Sequence, residues 1–297
     1  MNKIPTESKF VTVFNSKMHY LESGMGDPIL FVHGIPTSSY IWRKVIELMN
    51  HKGRCIAVDL IGLGKSDKPD ITYSITDHVN YLTGFIEALN LKNITLVLHA
   101  WGSLAGFTYA MTHQNNVKGL IFYESYIRPV LDWSMLSLPM QELVAIVNQA
   151  EYKSKIANTD YFIDSLLPRA ILKDMPKEGV EIFRAALAET KNRQPLMQYL
   201  HELPTGSEPQ EVTNLMRDYS HKLEHSSVPK LMIYGVPGYN TTIATVAWAR
   251  DHLPKLTIAD IGAALHFAQE INPTAFSEAI LEWQEKILVA SSSLAAH

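Results

Sequence analysis

The 297-residue sequence contains one cysteine, Cys55, so no disulfide can close within the chain, and a reducing compartment is the expectation. It has no surplus of positive charge. Lys and Arg total 26 against 30 Asp and Glu, a net charge of −4, and no basic block occurs. That excludes nucleic acid and anionic membrane as main partners. Long apolar runs are missing as well. The most apolar window, Ile94 to Met111, is interrupted by His99, Gly102, Ser103 and Gly106, which argues against a membrane span. Met1 to Phe10 is polar and lacks the apolar core of a signal peptide, so a cytoplasmic location is expected. Gly62-Leu63-Gly64 lacks the third glycine and the helix start of a dinucleotide loop. His33, His99 and His266 fall in no metal-ligand spacing, and Asp59 with Asp67 reads as turn chemistry beside Gly62 and Gly64. Neither metal nor cofactor is expected.

What remains is a globular composition, 46% hydrophobic and 19% charged, with a length that suits one core carrying an insertion. Short β-rich apolar runs, most of them continuous Val, Ile and Leu, recur at Pro28–His33, Arg54–Asp59, Ile94–His99, Gly119–Tyr123, Lys230–Tyr234 and Leu256–Ile261. Such runs suit parallel strands covered on both faces. Helix-like stretches such as Ile75–Leu89 and Leu104–Thr112 alternate with them, so an α/β fold with a mostly parallel sheet wound with helices is expected. The rhythm breaks from Leu131 to about Ser227, where Met, Leu and Ala recur at helical spacing among scattered prolines. This reads as a helical cap, 131–216, inserted into a core made of 1–130 and 217–297. The tail Ser291–His297 reads as a linker outside the fold.

The strand Leu96-Val97-Leu98-His99 runs into Ala100-Trp101-Gly102-Ser103. A sharp strand-to-helix turn of this kind lifts its tip residue above the sheet, and a small residue two positions on lets the backbones pass. Gly102 supplies the small residue, so Ala100 is the tip, and alanine has no atom able to attack carbon. Ser103 should point into the helix. His33-Gly34-Ile35 follows the first strong strand, and the amides of Ile35 and Trp101 can form an oxyanion-type pocket. His266, on a late loop, is a candidate general base and needs a carboxylate to orient it. The segment Gly235 to Asn240 offers no acid, whereas Glu124 ends the strand before the cap.

These motifs resemble the haloalkane dehalogenases, in the branch of the α/β-hydrolase fold that includes coelenterazine luciferases. The similarity runs through His33–Trp42, Asp59–Asp67, Leu98–Gly106, Tyr123-Glu124, Asn158–Pro168, Pro229–Gly238 and Leu265–Pro273, and spans Phe10 to Leu288. The resemblance implies a cap after the sixth strand, His266 as base, Glu124 as its acid, and the indole N–H of Trp101 as a halide donor. It also implies an aspartate nucleophile where Ala100 stands and a halide-binding asparagine where Ile35 stands. The expected activity is therefore non-covalent acid/base chemistry on an apolar small molecule: a lyase, cyclisation, isomerisation or cofactor-free oxygen reaction. The alternatives are a dehalogenase inactivated by drift or design, and a ligand-binding protein without catalysis. The substrate pocket is expected between Ile35, Trp101, Phe162 and Leu265, with Asn240 nearby, in a monomer or homodimer.

Overall fold

The computed structural model describes residues 4–173, 175–206 and 209–294. Eight strands form one sheet in the order β1-β2-β4-β3-β5-β6-β7-β8. The strands are β1 (Glu7–Val13), β2 (Ser16–Ser23), β3 (Pro28–Val32), β4 (Arg54–Val58), β5 (Ile94–His99), β6 (Val117–Tyr123), β7 (Lys230–Pro237) and β8 (Leu256–Ala264). From β4 through β8 neighbours run parallel, and only β2 is antiparallel to those beside it. Every residue of β5 is buried. That burial is why its sequence is apolar up to His99 apart from Thr95.

Helices α1 (Arg43–Met49), α2 (Ile75–Ala88) and α3 (Gly102–Thr112) belong to the first half of the core. Ser74 and Asp77 close a reciprocal capping box at the start of α2. After β6 the chain leaves the sheet for α4 (Leu138–Val147), α5 (Ala150–Asn158), α6 (Lys177–Ala186) and α7 (Gln194–Glu202). It returns through α8 (Gln210–His225), α9 (Ile243–His252), α10 (Ala268–Ile271) and α11 (Pro273–Leu294). The insertion thus follows the sixth strand. Residue 216, where the cap is expected to end, falls inside the unbroken helix α8. That helix packs on the core, with the Tyr219 ring 5.4 Å from Phe107 of α3. The tail also differs: α11 continues through Ser291 to Leu294, so that part of it belongs to the last helix, while 295–297 lie outside the described residues.

The cap rests on the strands' carboxyl ends, the face where open α/β sheets bind ligands. Three contacts dock it. Glu202 of α7 accepts from the Ile75 amide at the start of α2 (3.0 Å). The His266 amide donates to Ala170 O (3.0 Å). Tyr199 of α7 sets its ring edge-on to Trp101, centroids 5.0 Å apart. Among the described residues no helix is long and apolar enough to cross a membrane. Cys55 is buried in β4, and burial pushes its thiol up to about 12.

Candidate active site

β5 delivers the chain to Ala100, whose φ of +48° is left-handed, a conformation that a side-chain-bearing residue adopts at a cost. The backbone then turns into α3 through Gly102. A Cβ at Gly102 would lie 2.2 Å from His33 O, so only glycine lets α3 pass the loop after β3. Gly34 is pressed against the same turn, since a Cβ there would meet Ala100 Cβ at 2.7 Å and Trp101 N at 3.3 Å. The turn therefore holds residue 100 next to the loop that carries Ile35. The residue held there is a methyl group, 4% exposed. Ser103 donates to Ala100 O (2.6 Å) and accepts from the Tyr126 amide (3.1 Å), so its hydroxyl is occupied in holding the turn.

His266 lies across from this tip. Its Nδ1 is 3.1 Å from Glu124 Oε2, and its side chain keeps 15% exposure while that of Glu124 has none. Glu124 itself has a left-handed φ of +51°, which turns its carboxylate back toward the loop after β7. There the amides of Tyr239 (3.1 Å) and Asn240 donate to Oε2, and the amide of Thr241 donates to Oε1 (3.2 Å). Three amides converging on one side chain can be satisfied only by an acceptor. A carboxylate so held takes the His266 Nδ1 proton as its fourth hydrogen bond and leaves Nε2 as the basic nitrogen.

Neighbouring aromatic and imidazole rings complete the surroundings. His99 donates from Nε2 to His266 O (2.8 Å), and its ring centroid is 4.6 Å from that of His266. Burial, then the nearby His266, pushes His99 well below the ordinary imidazole range, so it stays neutral beside the base. Trp101 is 1% exposed, and its indole N–H has no partner among the described residues. Tyr126 and Tyr199 meet the indole edge-on at 5.9 and 5.0 Å. Burial raises both phenols, and their hydroxyls interact with each other. Tyr239, raised to about 12 by burial and then by Glu124, sets its ring 5.4 Å from His266. It also lines a cavity of about 120 Å³ with Leu143, Leu166 and Arg169.

The structure thus brings together Ala100, Trp101, Glu124 and His266, with Ile35 beside the elbow. Ile35 and Phe162 are both buried. Leu265 is half-buried, and its carbonyl accepts from the Tyr123 hydroxyl. Asn240 lies against Glu124: its backbone amide donates to Glu124 Oε2, and its side-chain amide donates to Glu124 O (3.0 Å). It positions the acid. Tyr126, Tyr199, Tyr239 and Thr241 carry no sequence signal of their own, because their approach depends on how the cap and the loop after β7 dock.

Residues 27–168 match the family model described as alpha/beta hydrolase fold. A haloalkane dehalogenase from Sphingobium indicum is 33% identical over 287 residues, covering 95% of this chain and 96% of its own. The chain belongs to the haloalkane dehalogenase family. A second family member, from Mesorhizobium japonicum, is 32% identical across 95% of this chain and 93% of its own. Among solved structures, the haloalkane dehalogenase DbeA from Bradyrhizobium elkani USDA94 is similar with a TM-score of 0.91 at 34% identity, covering 96% and 100% of the two chains. DatA from Agrobacterium tumefaciens C58 reaches a TM-score of 0.89 at 30% identity, covering 95% and 97%. Within this family's fold, the tip of the elbow in this chain is a methyl group.

Proposed function

We propose that this chain is a small-molecule enzyme of dehalogenase lineage that has given up the covalent step and uses His266, oriented by Glu124, as a general base. The observation that carries the reading is the contrast within one site. The acid–base pair is held by three amides, while Ala100, at the tip, has no nucleophilic atom. Ile35 in place of an amide side chain also leaves a displaced halide with one donor fewer, a loss of about 1.5–3 kcal/mol for a hydrogen bond to charge.

The polar groups facing an apolar substrate are then donors: the Trp101 indole N–H and the amides of Ile35 and Trp101. Donors without a facing nucleophile suit a substrate whose oxygen gains negative charge while His266 Nε2 removes a proton, such as a ketone giving an enolate or a phenol giving a phenolate. The charge on the imidazolium is balanced by Glu124. Isomerisation, elimination, cyclisation and cofactor-free oxygen chemistry all begin with that transfer.

The test is hydrogen–deuterium exchange into a panel of apolar ketones and phenylacetones in D₂O, followed by NMR. Exchange above background is expected from the wild type. It should be lost in His266→Ala and lowered about 10²–10³-fold in Glu124→Gln, which keeps shape but alters tautomer and charge. Exchange unaffected by His266→Ala, or halide release from bromoalkanes by the wild type, would overturn the proposal. A panel member that binds equally well to wild type and His266→Ala without exchange would favour a binding protein instead.

A further inference from the structure

A second histidine–carboxylate pair sits in the edge hairpin, and it ends on a hydroxyl. His19 of β2 lies opposite Phe10 of β1, and Ser8 lies opposite Leu21. Because side chains alternate along a strand, Ser8 and Phe10 share the face that reaches His19. Ser8 Oγ is 2.8 Å from His19 Nε2, and the Phe10 ring is 5.1 Å from the imidazole. On the other side of the ring, His19 Nδ1 is 2.7 Å from Asp59 Oδ2. Asp59 also accepts from the amides of Ser39 (2.6 Å) and Lys65 (2.8 Å). Burial raises the Asp59 carboxyl, but its bonds to His19 and Lys65 and the nearby His33 outweigh that and hold it below the usual carboxylate range.

These bonds fix the ring's tautomer. A carboxylate only accepts, so Nδ1 carries the proton, Nε2 is the acceptor, and the Ser8 hydroxyl proton is directed at a base. Nucleophile, base and orienting acid are thus in line, the arrangement that activates a serine wherever it recurs. Ser8 is exposed, while His19 and Asp59 are buried. A cavity of about 520 Å³ opens beside the pair, walled by His19, Leu21, Tyr40, Ile182 and Ala186, with Lys65 on its wall. The Lys65 ammonium bonds to no side chain among the described residues.

We propose that Ser8–His19–Asp59 is a second reactive site, at which Ser8 is acylated by activated esters whose aliphatic acyl chain enters this cavity. Ser8 Oγ bonds to the acyl carbon as the ester's C–O bond breaks. His19 Nε2 takes the hydroxyl proton and passes it to the departing alkoxide or phenolate, leaving a serine ester. Ser8 lies on an edge strand rather than on a strained elbow that aims paired amides at the carbonyl oxygen. Acylation is helped by the activated leaving group, which the serine ester lacks, so the acyl-serine forms faster than water removes it and accumulates on the protein.

The experiment treats the full chain with p-nitrophenyl butyrate, follows the burst of nitrophenolate, and locates the butyryl group by intact-mass and peptide mass spectrometry. One equivalent on Ser8 is expected, formed at least about tenfold faster than on Ser154, exposed on α5 with no histidine beside it. Ser8→Ala, an exposed change that should leave the melting temperature within a degree or two, removes the burst. His19→Gln, where circular dichroism shows it folded, lowers Ser8 labelling about tenfold or more. Equal labelling of Ser8 and Ser154, no adduct on Ser8, or undiminished labelling in folded His19→Gln overturns the assignment. The ratio of the two serines in the unaltered protein decides the matter even if His19→Gln does not fold.

Discussion

The two histidine–carboxylate pairs differ in the member that completes each. At the carboxyl ends of the strands, His266 and Glu124 are 3.1 Å apart, and the ring keeps some exposure. The position their base would serve is Ala100. In the edge hairpin, His19 and Asp59 are 2.7 Å apart and both nearly sealed, yet a serine hydroxyl faces the free nitrogen. One region has the strained elbow without the nucleophile, and the other has the nucleophile without the elbow. In the proposed readings both carboxylates orient an imidazole base, and Asp59 also ties the hairpin to the loop after β3. What separates the roles is backbone geometry and access rather than the pair itself.

The sharpest way to break that comparison is to refill the elbow. Ala100→Asp restores an attacking carboxylate but leaves Trp101 as the single halide-donating side chain. Ile35→Asn restores the second donor while nothing attacks. Attack and departure share one transition state, so the effects combine non-additively. Halide release from 1-bromoalkanes is expected to stay at background for the wild type and for Ile35→Asn. It should be weak for Ala100→Asp and at least about 10³-fold above wild type for the double variant. A folded double variant that forms neither alkyl ester nor halide would mean that the cap has been reshaped for another substrate as well.

Next in size is the stability cost of each histidine. His19→Ala leaves Asp59 buried and short of a partner, for a loss of about 3–5 kcal/mol in urea unfolding. His266→Ala empties a partly exposed position whose carboxylate keeps three amides, and should cost under about 1 kcal/mol. Equal costs would mean that the partly exposed pair holds the fold as firmly as the sealed one.

The sequence carries much of this architecture and leaves specific parts of it silent. Largely apolar runs mark β3 to β7, whose residues are mostly buried, and β8 reads as a strand although it is only partly covered. The hairpin β1–β2 alternates polar and apolar residues, so a reading tuned to doubly covered strands passes over it, and with it Ser8 and His19. The cap is legible from helical spacing, but its return at Pro209 is not, since α8 has the same amphipathic character whether it packs on cap or core. In the candidate site, Ala100, His266 and Glu124 are each picked out by a local motif. Glu124 in particular stands out because 235–240 holds no acid. Tyr199 and Tyr126 converge on Trp101 only through the docking of α7, which no local pattern encodes.

A third carboxylate extends the comparison to one with no histidine. Glu202 is buried at the seam of cap and core, bonded to the Ile75 amide and to the Gln198 side chain (2.9 Å). Burial pushes it up to about 7. The folded protein therefore holds this proton longer than the unfolded chain does. Its contribution is full below the ordinary value of 4.5 and drains as pH rises through about 7. Between pH 5 and 8 the wild type should lose on the order of 2–3 kcal/mol that Glu202→Gln does not lose. Chemical unfolding of both proteins across that range measures it, and parallel profiles would show that Glu202 is solvated in the folded state.

The smallest expected effect concerns what the proposed function gives the elbow region and the hairpin lacks, donors for a substrate oxygen. Trp101 presents an indole N–H without a partner among the described residues, and the Tyr199 ring meets the indole edge-on at 5.0 Å, its hydroxyl interacting with that of Tyr126. A hydroxyl engaged by a neighbouring hydroxyl is held in direction, so one that donates onward is pre-oriented. If the substrate oxygen takes that hydrogen bond along with the indole's, Tyr199→Phe removes one neutral hydrogen bond, worth about 0.5–1.5 kcal/mol, or roughly three- to tenfold in affinity. Tyr126→Phe removes only the orienting partner and should cost less. Isothermal titration with a ketone or phenol that undergoes exchange distinguishes the two. Affinity unchanged in Tyr199→Phe would confine recognition of the oxygen to Trp101 and the two amides. A larger loss in Tyr126→Phe than in Tyr199→Phe would reverse their order and make Tyr126 the residue that touches substrate.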